Sequence, residues 1–143
     1  MKLLAFASSV IEAAGRVHAT FMGSPNTFVQ RAGLVALQQC GPDVARMREV
    51  YRGRQELMYT ELATIDELTV QRPEGAFYLF PKYTVPIGSV DLVGLLRRRG
   101  VAVRPGAEFG EYGEGHLRLS CAASDENIVT GIRRLRAALV ELG

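Results

Sequence analysis

The residue with the clearest chemical potential is Arg118, at the centre of the alternating segment 116–120 (HLRLS). Alternation predicts a β-strand in which Leu117 and Leu119 face a core and the arginine lies on the opposite face. A guanidinium held on a rigid strand presents a planar fork of donors that suits a carboxylate or a phosphate. From alternation alone, an arginine that pairs with a surface glutamate is the simpler interpretation.

Motifs for self-contained catalysis are absent from the sequence. It has no glycine-rich nucleotide loop, no HExxH zinc motif and no CxxC pair. The two histidines, His18 and His116, are far apart, and no nucleophile elbow supports a Ser-His-Asp arrangement. The cysteines, Cys40 and Cys121, are also distant, which favours free thiols in a reducing cytosol. We therefore expect a cytoplasmic protein without a metal site.

The composition argues against two classes of partner. The chain has 143 residues and a net charge of +2, which fits one domain and provides no broad basic field for nucleic acid. The basic run 97–99 (RRR) precedes Gly100, as is typical of a helix C-terminus, where cations oppose the helix dipole. The apolar start, residues 3–7, is too short for a secretory signal, and no stretch approaches the roughly 20 apolar residues of a membrane span.

Helices dominate the predicted first half. A loosely amphipathic segment occupies residues 1–20, and a turn at 23–26 (GSPN) precedes a helix that runs from Thr27 to 41–42 (GP). Asp43 is the predicted N-cap of a longer helix that reaches about residue 64. Its apolar stripe consists of Val44, Met47, Tyr51, Met58, Leu62 and Ile65.

The second half alternates short strands with helices. The predicted strands are 68–70, a buried strand at 75–80, 101–103 and 116–120. Ser89 and Ser124 are the predicted caps of two helices, and the apolar stripe of the second is Ile128, Ile132, Leu135, Leu139 and Leu142. The order predicts an α/β (α+β) fold: a two-layer sandwich of a small three- to four-stranded sheet with helices on one face, preceded by long helices.

Four segments resemble, in the same order, the C-terminal small domain of class I/II aminotransferases, which are fold-type I enzymes that depend on pyridoxal phosphate. They are 24–26 (SPN), 73–79 (PEGAFYL), 103–110 (VRPGAEFG) and 116–122 (HLRLSCA). A helix start at 124–127 (SDEN) follows them at the family's spacing. The resemblance covers roughly residues 10–142 and implies the fold of that domain.

The resemblance assigns substrate contacts to four residues. Arg118 matches the family arginine that binds the α-carboxylate of the amino-acid substrate through a bidentate salt bridge. Gly75, Ala76 and Phe77 match the strand and turn that approach the substrate, where a small residue lets the backbone come close.

Two further segments match regions that position the site. Pro105, Gly106 and Phe109 match the turn that leads into the arginine-bearing strand, so the resemblance implies a positioning role for them. The segment 24–26 resembles the one that lies close to the dimer interface and to the partner's active site.

The resemblance also implies what this chain lacks. The family transfers an amino group between an amino acid and a 2-oxo acid, as a homodimer, and needs a lysine amine to hold the aldehyde of pyridoxal phosphate and to move a proton. The only lysines are Lys2 and Lys82, and neither has the Ser-x-x-Lys context of the family. The family's lysine and phosphate cup belong to a large domain, N-terminal to the matched region. We expect this chain alone neither to bind the cofactor tightly nor to transaminate.

Four interpretations therefore stay open. The chain is a fragment of an aminotransferase, one polypeptide of a split enzyme, a stand-alone domain that binds amino acids through Arg118, or a dimerisation module without a ligand. Residues 1–9 resemble the family poorly, which suits the first. Without a large domain the chain exposes apolar surface, so association is expected.

Overall fold

The computed structural model describes residues 8–143. In chain order the elements are α1 (Ser8–Met22), α2 (Thr27–Gln39), α3 (Gly41–Leu62), β1 (Leu68–Thr69), β2 (Tyr78–Leu79), β3 (Lys82–Tyr83), α4 (Ser89–Arg98), β4 (Arg104–Pro105), β5 (Leu117–Ser120) and α5 (Asp125–Val140). Two 3-10 turns, Gly106–Phe109 and Glu111–Gly113, join β4 to β5. None of the described helices is long and apolar enough to cross a membrane.

The chain divides into two compact units, one up to Ala45 and the other Arg46–Gly143. The first unit contains α1, α2 and the start of α3. Asn26 begins α2 because its side-chain oxygen accepts a hydrogen bond from the Val29 amide at 3.1 Å. The helix predicted from Thr27 is therefore confirmed. No residue of α1 or α2 is buried, and Phe21 is 82% exposed.

Helix α3 differs from its prediction at both ends. It begins at Gly41, so Asp43 lies in the first turn instead of at the N-cap, and it ends at Leu62. Proline is tolerated in a first helical turn because its missing N–H has no partner there in any case, so Pro42 does not delay the start. Only the C-terminal part of the predicted stripe is buried: Met58 is 4% exposed, whereas Val44 is 58% exposed.

The second unit is built on two small antiparallel sheets. Three strands pair in the order β2-β5-β4, and β1 pairs with β3. In the larger sheet Leu79 lies opposite Leu119, and Pro105 lies opposite Leu117. These four residues are buried, so they define the core face of the sheet. The alternation predicted for β5 is confirmed.

Helices α4, α5 and the end of α3 cover that core. Their fully or nearly buried residues are Met58, Leu62, Leu92, Leu96, Ile128, Ile132, Leu135 and Leu139, which join the sheet leucines in one cluster. Ser124 starts α5 by accepting a hydrogen bond from the Asn127 amide, as predicted. The predicted sandwich of a small sheet and helices is thus confirmed.

Three predictions about local structure were wrong. Ala76 has a φ of +62°, which interrupts extended backbone, so the predicted buried strand 75–80 is reduced to Tyr78–Leu79. Residues 101–103 make no strand pairing with any described residue, and β4 begins only at Arg104. Ser89 is the first residue of α4 and Gly88 is the N-cap.

Gly88 has no side chain to accept a capping hydrogen bond, and a carboxylate from the β4–β5 connection accepts one in its place. Glu114 accepts hydrogen bonds from the Ser89 amide at 2.7 Å and from the Ser89 hydroxyl at 2.9 Å. The Tyr83 hydroxyl lies 3.3 Å from the same carboxylate and 2.8 Å from the Ile87 carbonyl. We call Glu114, Ser89 and Tyr83 the Glu114 latch, because they tie the connection before β5 to the start of α4.

Hydrogen bonds lower one pKa in the latch, and burial raises another. Hydrogen bonds from Ser89 lower the pKa of Glu114 below its ordinary value of 4.5. Burial, and then the Glu114 charge, raise the pKa of Tyr83 to about 12. A lowered carboxyl pKa contributes stability above the ordinary value, and that contribution is lost as the pH falls through the lowered value.

We expect Glu114→Gln to lower the free energy of unfolding at neutral pH. We also expect the free energy of unfolding of this variant to change less with pH in the acid range. The native chain should lose more stability than the variant between about pH 7 and about pH 3, since only the native chain must protonate the latch carboxylate. Urea unfolding followed by circular dichroism measures both quantities. Glu111→Gln is the matched control, because Glu111 has no hydrogen bond or ion pair among residues 8–143. Equal acid dependence in all three proteins would contradict the assignment.

Candidate functional site

Arg118 lies on the face of β5 opposite the core. Leu117 and Leu119 are buried on one side of the strand, and Arg118 is half-buried on the other. Its guanidinium carbon is 4.5 Å from the centre of the Tyr78 ring and 4.4 Å from the centre of the Phe109 ring. Aromatic faces attract a cation and exclude water from it. We call Tyr78 and Phe109 the aromatic clamp.

The two rings of the clamp reach Arg118 from different elements. Tyr78 in β2 lies opposite Ser120 in β5, and residues two apart share a face, so Tyr78 is a diagonal neighbour of Arg118. Phe109 ends the 3-10 turn that follows β4. The sheet register thus places the first ring, and the β4–β5 connection places the second.

Gly106 allows that connection to fold tightly. A Cβ at Gly106 would lie 2.0 Å from the Gly113 carbonyl oxygen and 2.7 Å from the His116 carbonyl oxygen. The Gly106 amide donates a hydrogen bond to His116 at 2.8 Å, so the backbone segments are held in contact. Of the three residues predicted to position the strand, Phe109 also contacts the guanidinium directly, and Pro105 is paired with Leu117.

Arg118 has no carboxylate partner among residues 8–143. Four acidic side chains of the second unit pair with other arginines, in Arg54–Asp125, Arg72–Glu56, Arg99–Glu141 and Arg104–Glu108. The alternative in which Arg118 pairs with a surface glutamate is therefore wrong. A half-buried cation without a counter-ion favours an anionic ligand, because pairing compensates for lost hydration.

The predicted segment Gly75–Phe77 adjoins the clamp at one end only. The Gly75 and Ala76 carbonyls each accept a hydrogen bond of 3.0 Å from the side-chain Nε2 of Gln55, which fastens them to α3. The Phe77 ring centre is 4.4 Å from that of Tyr78, so Phe77 is one ring removed from Arg118. A Cβ on Gly75 would contact nothing in this chain, so the small side chain is not required by its own packing.

Two residues beside the clamp escaped the sequence analysis. Phe80 lies edge-on to Phe109 with ring centres 6.0 Å apart, and it stacks on His116 at 5.0 Å with an interplanar angle of 7°. The signal was present: Tyr78 and Phe80 are two apart, so an alternating reading of this segment places both on one face. The assignment of 75–80 as a buried strand concealed it.

The other candidates have local roles or fall outside residues 8–143. In the segment 24–26 the observed role is local, with Asn26 capping α2. Lys82 is an exposed residue of β3 whose backbone pairs with Thr69. Lys2 and the apolar start fall outside the described residues.

Relatives of this chain are aminotransferases. It is 34% identical over 136 residues to an aspartate aminotransferase of Pyrococcus horikoshii, which covers 92% of this chain and 35% of the relative. It is 37% identical to a probable N-acetyl-LL-diaminopimelate aminotransferase of Bacillus subtilis, covering 84% of the chain and 31% of the relative. Among solved structures, an aromatic aminotransferase of Pyrococcus horikoshii superposes with a TM-score of 0.85 at 32% identity, covering 96% of this chain and 38% of that one. No family model matches.

The resemblance to aminotransferases is thus confirmed in sequence and in fold. The chain has the architecture of their C-terminal small domain and spans about one third of the length of the curated relatives that it matches. The three relatives are named for different substrates: aspartate, N-acetyl-LL-diaminopimelate and aromatic amino acids. The likeness therefore describes an architecture shared by enzymes of different specificity.

We expect Gly106→Ala to destabilise the protein by about 1–3 kcal/mol, because the added methyl group overlaps backbone that cannot move away without opening the connection. Gly131→Ala is the matched control: Gly131 lies inside α5 with open space around its Cβ position, and alanine favours helix by about 0.5–1 kcal/mol. Urea unfolding of both variants measures the two changes. Loss of stability of equal size in both would refute the close-approach explanation.

Proposed function

We propose that this chain forms the substrate-carboxylate half of an aminotransferase active site, with Arg118 as the carboxylate ligand. The observation that carries the proposal is a guanidinium held by two aromatic rings and left without a carboxylate partner among the described residues. The complete enzyme would transfer an amino group between an amino acid and a 2-oxo acid. The identity of the amino acid stays open.

Arg118 binds and orients the substrate in this proposal. Its planar fork donates two parallel hydrogen bonds to the α-carboxylate, which fixes the direction in which the amino group points. The clamp removes water from the guanidinium and limits its rotation, so less conformational entropy is lost on binding. Phe77, next to Tyr78, extends the apolar wall toward Gly75 and Ala76, which we propose as the segment that approaches the substrate.

The pyridoxal phosphate of the complete enzyme does not fit the residues of this chain. Lys82 is exposed on β3, its backbone pairs with that of His116, and it lacks the Ser-x-x-Lys context of the family's lysine. When bound, the cofactor supplies an electron sink for amino-group transfer. We propose that its lysine and phosphate ligands come from a large domain outside these residues.

Exposed apolar surface supports a partner for the first unit. Phe21, Phe28 and Leu37 of helices α1 and α2 are 82%, 73% and 74% exposed. Contiguous exposed apolar surface is typical of a protein–protein interface. We propose that these helices pack in a larger, cytoplasmic homodimer and that the segment 24–26 lies near the second copy's site. A stand-alone domain that binds amino acids is the competing function.

Binding by the 143-residue chain tests the role of Arg118 directly. We expect L-alanine, but not its methyl ester, to shift the Nε–H resonance of Arg118 in an NMR titration, with weak affinity because exposed ion pairs contribute only about 0–1 kcal/mol. Arg118→Lys should weaken binding, since an ammonium cannot form the planar fork. Arg72 is the internal control, because it lies 4.5 Å from the Tyr59 ring but pairs with Glu56. An equal shift at Arg72 would argue against a specific site.

A chimera tests the catalytic half of the proposal. This chain replaces the matching third of the Pyrococcus horikoshii aspartate aminotransferase, and transamination is followed with several amino acids. We expect activity in the chimera and a loss of at least roughly 30-fold in kcat/KM with Arg118→Lys, the size expected when a buried charged hydrogen bond is broken. Arg133→Lys, on the exposed side of α5, is the control. A folded, cofactor-loaded chimera that is indifferent to Arg118→Lys would disprove the assignment.

The chain alone should not form a stable covalent adduct with the cofactor. After incubation with pyridoxal phosphate and borohydride reduction, mass spectrometry should find no single lysine modified in preference to the other, because Lys82 lies in no cofactor cup. The chimera, treated in the same way, should be labelled at one lysine of the added polypeptide. Selective labelling of Lys82 in the native chain would overturn the proposal that the cofactor's lysine lies in a separate large domain.

A further inference from the structure

The arginine at the site has a second arginine directly across the sheet. In the β4–β5 pairing Arg104 lies opposite Arg118, so their side chains project from the same face as nearest cross-strand neighbours. Two like charges at such a position repel each other. A carboxylate on this face would reduce the repulsion, and the structure shows which of the two arginines it pairs with.

Glu108 is that carboxylate, and it is bound to Arg104. One carboxylate oxygen lies 2.7 Å from Nε and 2.6 Å from an Nη of Arg104. Glu108 immediately precedes Phe109, whose ring contacts Arg118. The carboxylate is therefore one residue away from a ring that contacts Arg118, and in the structure it pairs with the arginine outside the aromatic clamp.

We propose that Arg104 holds Glu108 away from Arg118 and so keeps the carboxylate site open. Because Glu108 carries the same functional group as the substrate, it would compete for Arg118 from within the chain if Arg104 did not bind it. Arg104 and Glu108 are positioning residues in this scheme. The inference rests on the proposed function, in which Arg118 is the substrate ligand.

The same competition does not come from His116, Glu114 or Lys82. His116 lies two residues before Arg118 on β5, stacks on Phe80 and directs Nδ1 to the Glu114 carbonyl at 3.1 Å. The Glu114 carboxylate is engaged by Ser89. Lys82 pairs through its backbone with His116 and carries a positive charge, so it cannot replace Glu108.

The first experiment needs no ligand. The Nε–H resonance of Arg118 is followed from neutral to acidic pH in the full native chain, Arg104→Ala, Glu108→Gln and the double variant. In Arg104→Ala we expect Glu108 to move to Arg118, so that the resonance shifts when acid protonates the carboxylate and breaks the new ion pair. The double variant should lack this shift. An Arg118 resonance that behaves alike in Arg104→Ala and in the double variant would overturn the proposal.

The second experiment measures the consequence for binding. We expect Arg104→Ala to weaken L-alanine binding by roughly two- to fivefold, the range of exposed ion pairs, and the added Glu108→Gln change to restore it. Arg133→Ala removes the same charge from the exposed side of α5 and should change affinity less. A double variant as weak as Arg104→Ala would mean that Arg104 acts by its charge alone, and would overturn the proposal.

These two experiments, together with the chimera, separate this inference from the proposed function. If the folded, cofactor-loaded chimera is indifferent to Arg118→Lys while Glu108 moves to Arg118 in Arg104→Ala, then Arg104 does hold Glu108 away from Arg118 and the proposed function is wrong. If L-alanine binds through Arg118 and Arg104→Ala leaves both readouts unchanged, the proposed function stands and the proposed role of Arg104 is refuted.

Discussion

The contact between the Arg118 guanidinium and the rings of Tyr78 and Phe109 is the constraint on which the site depends. An arginine on an open strand would be hydrated, mobile and available to any nearby carboxylate. Here the rings limit its motion, and no carboxylate of residues 8–143 pairs with it. The result is a half-buried cation without a carboxylate partner among the described residues, which is the observation that supports the proposed ligand role.

The connection between β4 and β5 maintains that contact. Its backbone closes on itself where Gly106 meets Gly113, because neither position carries a Cβ. The Glu114 carboxylate then fastens its far end to Ser89, a fully buried residue at the start of α4. Phe109 lies between these two attachments, so the second ring of the clamp is held by backbone contact on one side and by a charge-assisted hydrogen bond on the other.

Residues 8–143 expose much apolar surface, and the aminotransferases that this chain resembles are longer than it is. The chain corresponds to about a third of the length of its relatives, and the aromatic side chains of the clamp and next to it are about two-fifths exposed: Phe77, Tyr78, Phe80 and Phe109. An arginine site that is open to solvent on one side can orient a carboxylate but binds it weakly, because solvent screens the ion pair. A second wall that excludes water would strengthen the same hydrogen bonds.

The sequence by itself determined the strand that bears Arg118, the helices from Thr27 and Ser124 and the small-domain resemblance, because period, caps and motifs are local signals. Only the tertiary structure decided which charges pair. Alternation could not show that Glu108 binds Arg104, that Tyr78 and Phe109 meet at Arg118, or that Glu114 caps α4 from 25 residues away. It also could not show that Ala76 breaks the strand predicted at 75–80. These features depend on register and on loop closure, which bring together residues whose spacing along the chain carries no period.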